Sequence, residues 1–137
     1  MAIGSFRQLP VQRRGAVMVE TAVCLPVLVL LILGMLEACR MIYLQQSLKI
    51  AAFEGARTSL IPGTVSGDVT AVSQQVLDDR SVQGATITVD PINYETAPVG
   101  TFISVEITAP CDQNHFLSTV FFQNRTMTGE VQLMKEF

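Results

Sequence analysis

The sequence contains few of the residues on which catalytic and metal-binding sites are usually built. His115 is the only histidine, and the three cysteines, Cys24, Cys39 and Cys111, fit neither a zinc-binding nor a Cys-x-x-Cys spacing. The sequence also lacks a Gly-rich phosphate loop and a Gly-x-Ser-x-Gly motif. These absences predict a protein that is not an enzyme and that binds no cofactor, no metal and no small-molecule substrate.

A large excess of positive charge is missing as well. The formal net charge is −3, which argues against nucleic acid as a partner. The charges are nevertheless unevenly distributed, because those before Ala16 are all basic and acids outnumber bases after it. The basic residues of this leader are Arg7, Arg13 and Arg14. A basic leader followed by an acidic body indicates an oriented chain.

One apolar segment separates the leader from the body. Hydrophobic residues make up 49% of the chain and are concentrated between Ala16 and Leu36. The stretch 16–38 exceeds the roughly 20 residues that a membrane-spanning helix needs, provided that Glu20 is accommodated. Pro26 would kink or break this helix in water, but a membrane helix tolerates proline when neighbours satisfy the freed carbonyl.

The positive-inside rule orients this segment in the cytoplasmic (inner) membrane, with the N-terminus in the cytoplasm. We therefore predict a single-pass protein with three parts. These parts are a basic leader at 1–15, where Pro10 and Gly15 argue against a stable helix, a transmembrane helix at 16–38, and an extracytoplasmic domain at 39–137.

The pattern beyond the apolar segment predicts an α+β domain. Apolar and small residues recur at three- and four-residue steps to about residue 60, so the long helix continues until Pro62-Gly63 stops it. A second helix fits Asp68 to about Arg80. Period-two alternation predicts strands at about 85–89, 103–107 and 126–133. Residues 116–121 suit a short helix or, alternatively, a strand.

We expect these strands to form a small antiparallel sheet that packs on the projecting half of the long helix. The small residues at 51–56 allow close contact with a partner helix or with the chain's own sheet, and we expect the sheet. Glu37 and Arg40 lie one helical turn apart and can form a weak pair at the outer surface. Cys39 and Cys111 would both lie on the oxidising side and could form a disulfide; alternatively, all three cysteines are small buried hydrophobic residues.

Glu20 is the most informative residue of the apolar segment. A carboxylate within a membrane helix is costly, and chains retain one when something pairs with it. If the bond after Gly15 were cut, Ala16 would carry a charged α-amino group about 6 Å from Glu20 along the helix axis. Glu20 could then pair with its own amino terminus or with that of a neighbouring copy. The alternative is that Glu20 extends to the water at the membrane surface.

Gly15 with Glu20 at the fifth position after it resembles the processing site of type IV prepilins. The wider stretch RRGAVMVETAVCLPVLVLLILGMLEACRMIYLQQSLKIAAFEGAR resembles the TadE-like family, pseudopilins or minor pilins of the tight-adherence (Tad, Flp) pilus system. The matching elements are Arg-Arg-Gly, Glu20, Pro26, the region 37–40 and the segment 51–57. The resemblance covers roughly the first 60 residues, and the remainder is similar only in being short, strand-rich and extracytoplasmic.

The resemblance implies that a prepilin peptidase cuts between Gly15 and Ala16. The mature chain would then join, prime or cap an adhesive filament, or serve its assembly machine, with the membrane and other pilin or pilus-assembly subunits as partners. After assembly it would reach the pilus or cell surface. Ala16 departs from the phenylalanine of many type IV pilins. Two other hypotheses remain: an uncleaved, single-pass envelope protein whose outer domain binds a partner, and a secreted domain released by signal peptidase.

Overall fold

The computed structural model describes residues 13–115 and 124–136, with side chains from residue 15 onward. The predicted short element at 116–121 lies outside the described residues. The fold is α+β, as the sequence predicts. Its elements in chain order are helix α1 (Arg13–Ser59), helix α2 (Ser66–Asp79), strand β1 (Thr86–Asp90), a 3₁₀ turn (Tyr94–Thr96), strand β2 (Phe102–Pro110), a 3₁₀ turn (Cys111–Gln113) and strand β3 (Thr126–Met134).

The chain divides into two compact units, Met1–Met35 and Leu36–Phe137, which are called the N-terminal and C-terminal units below. The described part of the N-terminal unit is helical from Arg13, so Gly15 is helical, contrary to the expectation from its place in the leader. Glycine costs only about 1 kcal/mol in a helix, so the flanking helix formers can override it. Pro26 is also accommodated within α1.

The helical stretch Gly15–Ser59 contains a segment that is long and apolar enough to cross a membrane. The mean hydropathy of that segment is 2.6, and none of it is buried inside the protein. Its large apolar side chains face outward, with Met18, Leu30 and Met35 between 66% and 75% exposed. A helix that is apolar on all sides and uncovered by its own chain is typical of a membrane span.

The C-terminal unit is built on a three-stranded antiparallel sheet in the order β1-β2-β3. The register places Val89 opposite Val105 in β1 and β2, and Val105 opposite Val131 in β2 and β3. The alternation predicted from the sequence is observed in β2. One side of this strand is fully buried, through Ile103, Val105, Ile107 and Ala109.

The buried side of the sheet shares its core with α1 and α2. Residues of α1 in this core are Met41, Leu44, Leu48, Ala51, Ala52 and Ala56. Two glycines show how closely the elements approach. A Cβ atom at Gly55 would contact Ser73 and Val69 of α2, and one at Gly129 of β3 would lie 2.7 Å from the Leu48 carbonyl carbon. The small residues expected to pack on the sheet do lie in the core shared with it, and Gly55 also packs against α2, which the sequence did not predict.

Candidate processing and assembly site

Gly15, Ala16 and Glu20 lie on one continuous stretch of α1, within its first turns. All three are exposed. A Cβ atom at Gly15 would meet nothing within 4 Å, so the Gly15–Ala16 peptide bond lies on an open helix surface. Terminal turns of helices fray readily, which would make this bond accessible to a protease that requires extended backbone.

Glu20 is the only charged residue between Gly15 and Leu36. It lies beside a shallow apolar groove on the helix surface whose other lining residues are Val17, Thr21, Cys24, Leu25 and Leu28. The Thr21 hydroxyl donates its hydrogen bond to the Val17 carbonyl at 2.9 Å and is therefore not directed at the carboxylate. Among the described side chains, none donates a hydrogen bond to Glu20. The Glu20 carboxylate therefore lies on an otherwise apolar helix surface. A cation from another chain or from a new amino terminus would be bound strongly there.

The three cysteines have different environments. Cys24 and Cys39 are exposed, whereas Cys111 is buried, and all three are free thiols. The alternative that all three are buried is therefore wrong for Cys24 and Cys39. Burial raises the pKa of the Cys111 thiol above its ordinary value, and the nearby Asp112 carboxylate raises it further. A disulfide between Cys39 and Cys111 stays a prediction.

The first turns of α1 in the C-terminal unit are covered by the turn that follows β2. Glu37 is only 3% exposed. The Arg40 Nε donates a hydrogen bond to the backbone carbonyl of Asn114 at 3.1 Å, and its guanidinium lies 5.4 Å from the centre of the Tyr43 ring. Glu37 is therefore buried and Arg40 binds the segment after β2, while the Glu37–Arg40 pair itself stays a prediction.

Asn114 links three segments that are distant in sequence. Its side chain is 2% exposed, and its amide nitrogen donates to the carbonyls of Gln83 and Pro110, each at 2.8 Å. Its amide oxygen accepts a hydrogen bond from the Gln83 N–H at 2.8 Å. Together with the bond from Arg40, these contacts fix the end of β2 and the segment after α2 to α1. Sequence reasoning missed Asn114, because nothing in its local pattern distinguishes it from a loop asparagine.

Comparison with known families identifies the same segment. The model of the TadE-like protein family matches residues 15–57. The match begins at Gly15 and includes Glu20, the apolar segment and the small-residue face that packs on α2 and the sheet. No curated protein matches the chain, and no solved structure matches it. The resemblance seen in the sequence is confirmed over residues 15–57, where the chain is similar to the TadE-like family.

Proposed function

We propose that this protein is a pilin-like subunit for assembly of an adhesive Tad/Flp-type pilus, and that a prepilin peptidase cuts it between Gly15 and Ala16. The observation that carries the proposal is the family match, which begins at Gly15 and includes Glu20, the single carboxylate of the exposed apolar stretch 15–36. The proposed role is structural rather than enzymatic. The TadE-like family itself supports an association with the Tad pilus.

The proposed topology follows from charge and hydropathy. The apolar helix crosses the cytoplasmic membrane once, the leader lies in the cytoplasm and the C-terminal unit lies outside. Cleavage after Gly15 would remove the three leader arginines that hold the helix end at the cytoplasmic surface. The processed subunit could then be drawn out of the membrane into a filament.

Glu20 gives the processed helix a specific means of assembly. A carboxylate at the centre of a membrane helix costs about 2.5–3.5 kcal/mol on insertion scales, and less near the helix ends. The α-amino group created at Ala16 is mostly charged near neutral pH and offsets this cost by pairing with Glu20 of its own or a neighbouring copy. The cost of an unpaired Glu20 would therefore favour association of one helix with another. Once Glu20 pairs with the Ala16 amino group of a neighbouring copy, the pair would fix the relative position of the two helices.

Processing is tested by intact-mass measurement of the full chain expressed with and without a prepilin peptidase. The expected product in the presence of the peptidase starts at Ala16. A Gly15→Arg variant should remain uncut, because a bulky cation replaces the small residue before the bond. The matched control is Gly67→Arg, which adds the same side chain at an open position of α2, where the nearest atom to a Cβ is 3.9 Å away. This control should be cut normally.

Assembly is tested separately with Glu20→Gln, which keeps the size of the side chain but removes its charge. The variant should be cut after Gly15 but should fail to enter the pilus fraction of sheared cells. The control Glu106→Gln makes the same change on an exposed residue of β2 and should assemble as the unchanged protein does. A native chain that still carries its leader in peptidase-competent cells would instead support the alternative, an uncleaved single-pass envelope protein with an extracytoplasmic binding domain.

A further inference from the structure

One end of the C-terminal unit brings together the end of α1, the loop before α2 and the loop between β1 and β2. Lys135, which follows β3, ties this region together because its Nζ donates to the carbonyls of Tyr94, Glu95 and Ala97 at 2.9–3.1 Å. The Tyr94 hydroxyl lies 3.4 Å from Thr64 Oγ1 in the loop before α2. This region is called the distal end below, since it lies at the opposite end of α1 from Leu36, where the unit begins.

The distal end exposes several large apolar side chains. Six large apolar residues here are between 46% and 67% exposed. They are Ile61, Val65, Ile92, Val99, Phe102 and Met134. Phe102 and Met134 are directly opposite each other in the register of β2 and β3. Grouped apolar exposure on a domain that has its own buried core is typical of an interaction surface.

A cavity of about 370 Å³ lies at this end, between the loop at 59–64, Tyr94, Glu95 and Lys135. The cavity is large enough to receive a side chain of a partner. The C-terminus of α1 forms part of its wall, and the carbonyl end of a helix carries negative partial charge. The Glu95 carboxylate adds a full negative charge, while the Lys135 ammonium is held by the three carbonyls of the adjacent loop.

The electrostatic character of the distal end is acidic. Four exposed carboxylates lie on the segments that form the distal end, where Lys135 and Arg57 are the bases of the described chain. These carboxylates belong to Asp68, Asp90, Glu95 and Glu136. Burial raises the pKa of the Tyr94 hydroxyl, the hydrogen bond with Thr64 opposes that rise, and the charges of Glu95 and Asp68 add to it. The negative charges of Glu95 and Asp68 are therefore felt at Tyr94, which lines the cavity.

We propose that the distal end docks a partner protein whose surface presents apolar side chains flanked by lysine or arginine. The apolar residues supply the contact area, and the acidic surroundings select a basic flank. A second copy of the chain fits poorly, because two distal ends would bring the same carboxylates face to face. An anionic membrane surface would be repelled for the same reason. This docking role goes beyond assembly through α1 and rests on separate residues.

The test uses the full chain in nanodiscs of zwitterionic lipid, with empty nanodiscs as reference. The probes are three short fluorescent helical peptides: one with an apolar face flanked by lysines, one with the same face flanked by glutamates, and one with lysines and a serine face. Fluorescence anisotropy should give about tenfold tighter binding of the lysine-flanked apolar peptide than of either other peptide. Phe102→Ser and Val99→Ser should each weaken that binding, and Glu95→Gln should weaken it most at low salt.

The matched control is Ile42→Ser, which changes an apolar residue of comparable exposure near the opposite end of the unit. It should leave peptide binding unchanged. Equal binding of the lysine and glutamate peptides, or an equal loss in Ile42→Ser and Phe102→Ser, would overturn the proposal. Sedimentation in detergent provides the remaining check. Concentration-dependent self-association that disappears in Phe102→Ser would identify a second copy as the occupant and would also overturn it.

Discussion

Replacing Asn114 with alanine is expected to destabilise the C-terminal unit more than any other single loop substitution considered for this protein. The side chain is 2% exposed and makes three hydrogen bonds, two to Gln83 and one to Pro110. Alanine would leave one N–H and two carbonyls of the backbone without these partners in a buried region. A hydrogen bond contributes about 0.5–1.5 kcal/mol, and an unsatisfied buried group costs about 1–3 kcal/mol.

Because water can enter to satisfy some of these groups, we expect a loss of about 3 kcal/mol in the free energy of unfolding. A domain of this size loses roughly 4–8 °C in Tm per kcal/mol, so the Tm of the unit should fall by about 12–24 °C. Near-UV circular dichroism of the full chain in detergent measures this transition, since both tyrosines, Tyr43 and Tyr94, lie in the C-terminal unit.

Asn93→Ala is the matched control for this substitution. Asn93 is exposed, and its side chain forms no hydrogen bond with any part of the chain that the structure describes. Its replacement should change the Tm by less than about 2 °C. The reasoning would be refuted if Asn114→Ala melted within about 3 °C of the unchanged protein, because the amide would then contribute no more than a surface residue.

Two further substitutions or modifications test other parts of the fold. Gly129→Ala should cost about 1–3 kcal/mol in the free energy of unfolding, because its Cβ would lie 2.7 Å from the α1 backbone. The control Gly67→Ala should be neutral or slightly stabilising. Equal melting temperatures of the two variants would refute the close approach of β3 to α1. Iodoacetamide at mildly alkaline pH should label Cys39 but not Cys111 until the unit unfolds, since burial raises the pKa of the Cys111 thiol and shields it. The label is located by the masses of the peptides. Equal labelling of Cys39 and Cys111 would contradict the burial of Cys111, and absence of label on both would indicate the predicted disulfide. The stability contributed by the neutral Cys111 thiol is present below the ordinary thiol pKa of 9.0 and declines as pH rises above it.

The family resemblance needed no tertiary information, because the residues that carry it are contiguous. Gly15, Glu20 and the apolar segment follow one another along one helix, and their meaning depends on spacing and hydropathy alone. The burial of Glu37 was not predicted, because no local pattern around residues 37–40 signals it.

The sequence by itself determined the helices, the strands and the apolar span. These elements depend on periodicity and turn residues, which act between neighbours a few positions apart. Only the tertiary structure decided which distant residues meet: Asn114 with Gln83 and Arg40, Gly129 with Leu48, and the apolar residues at the distal end. The physical reason is that burial and hydrogen-bond partners across long loops depend on the packing of α1, α2 and the sheet as a whole, and no local pattern encodes that packing.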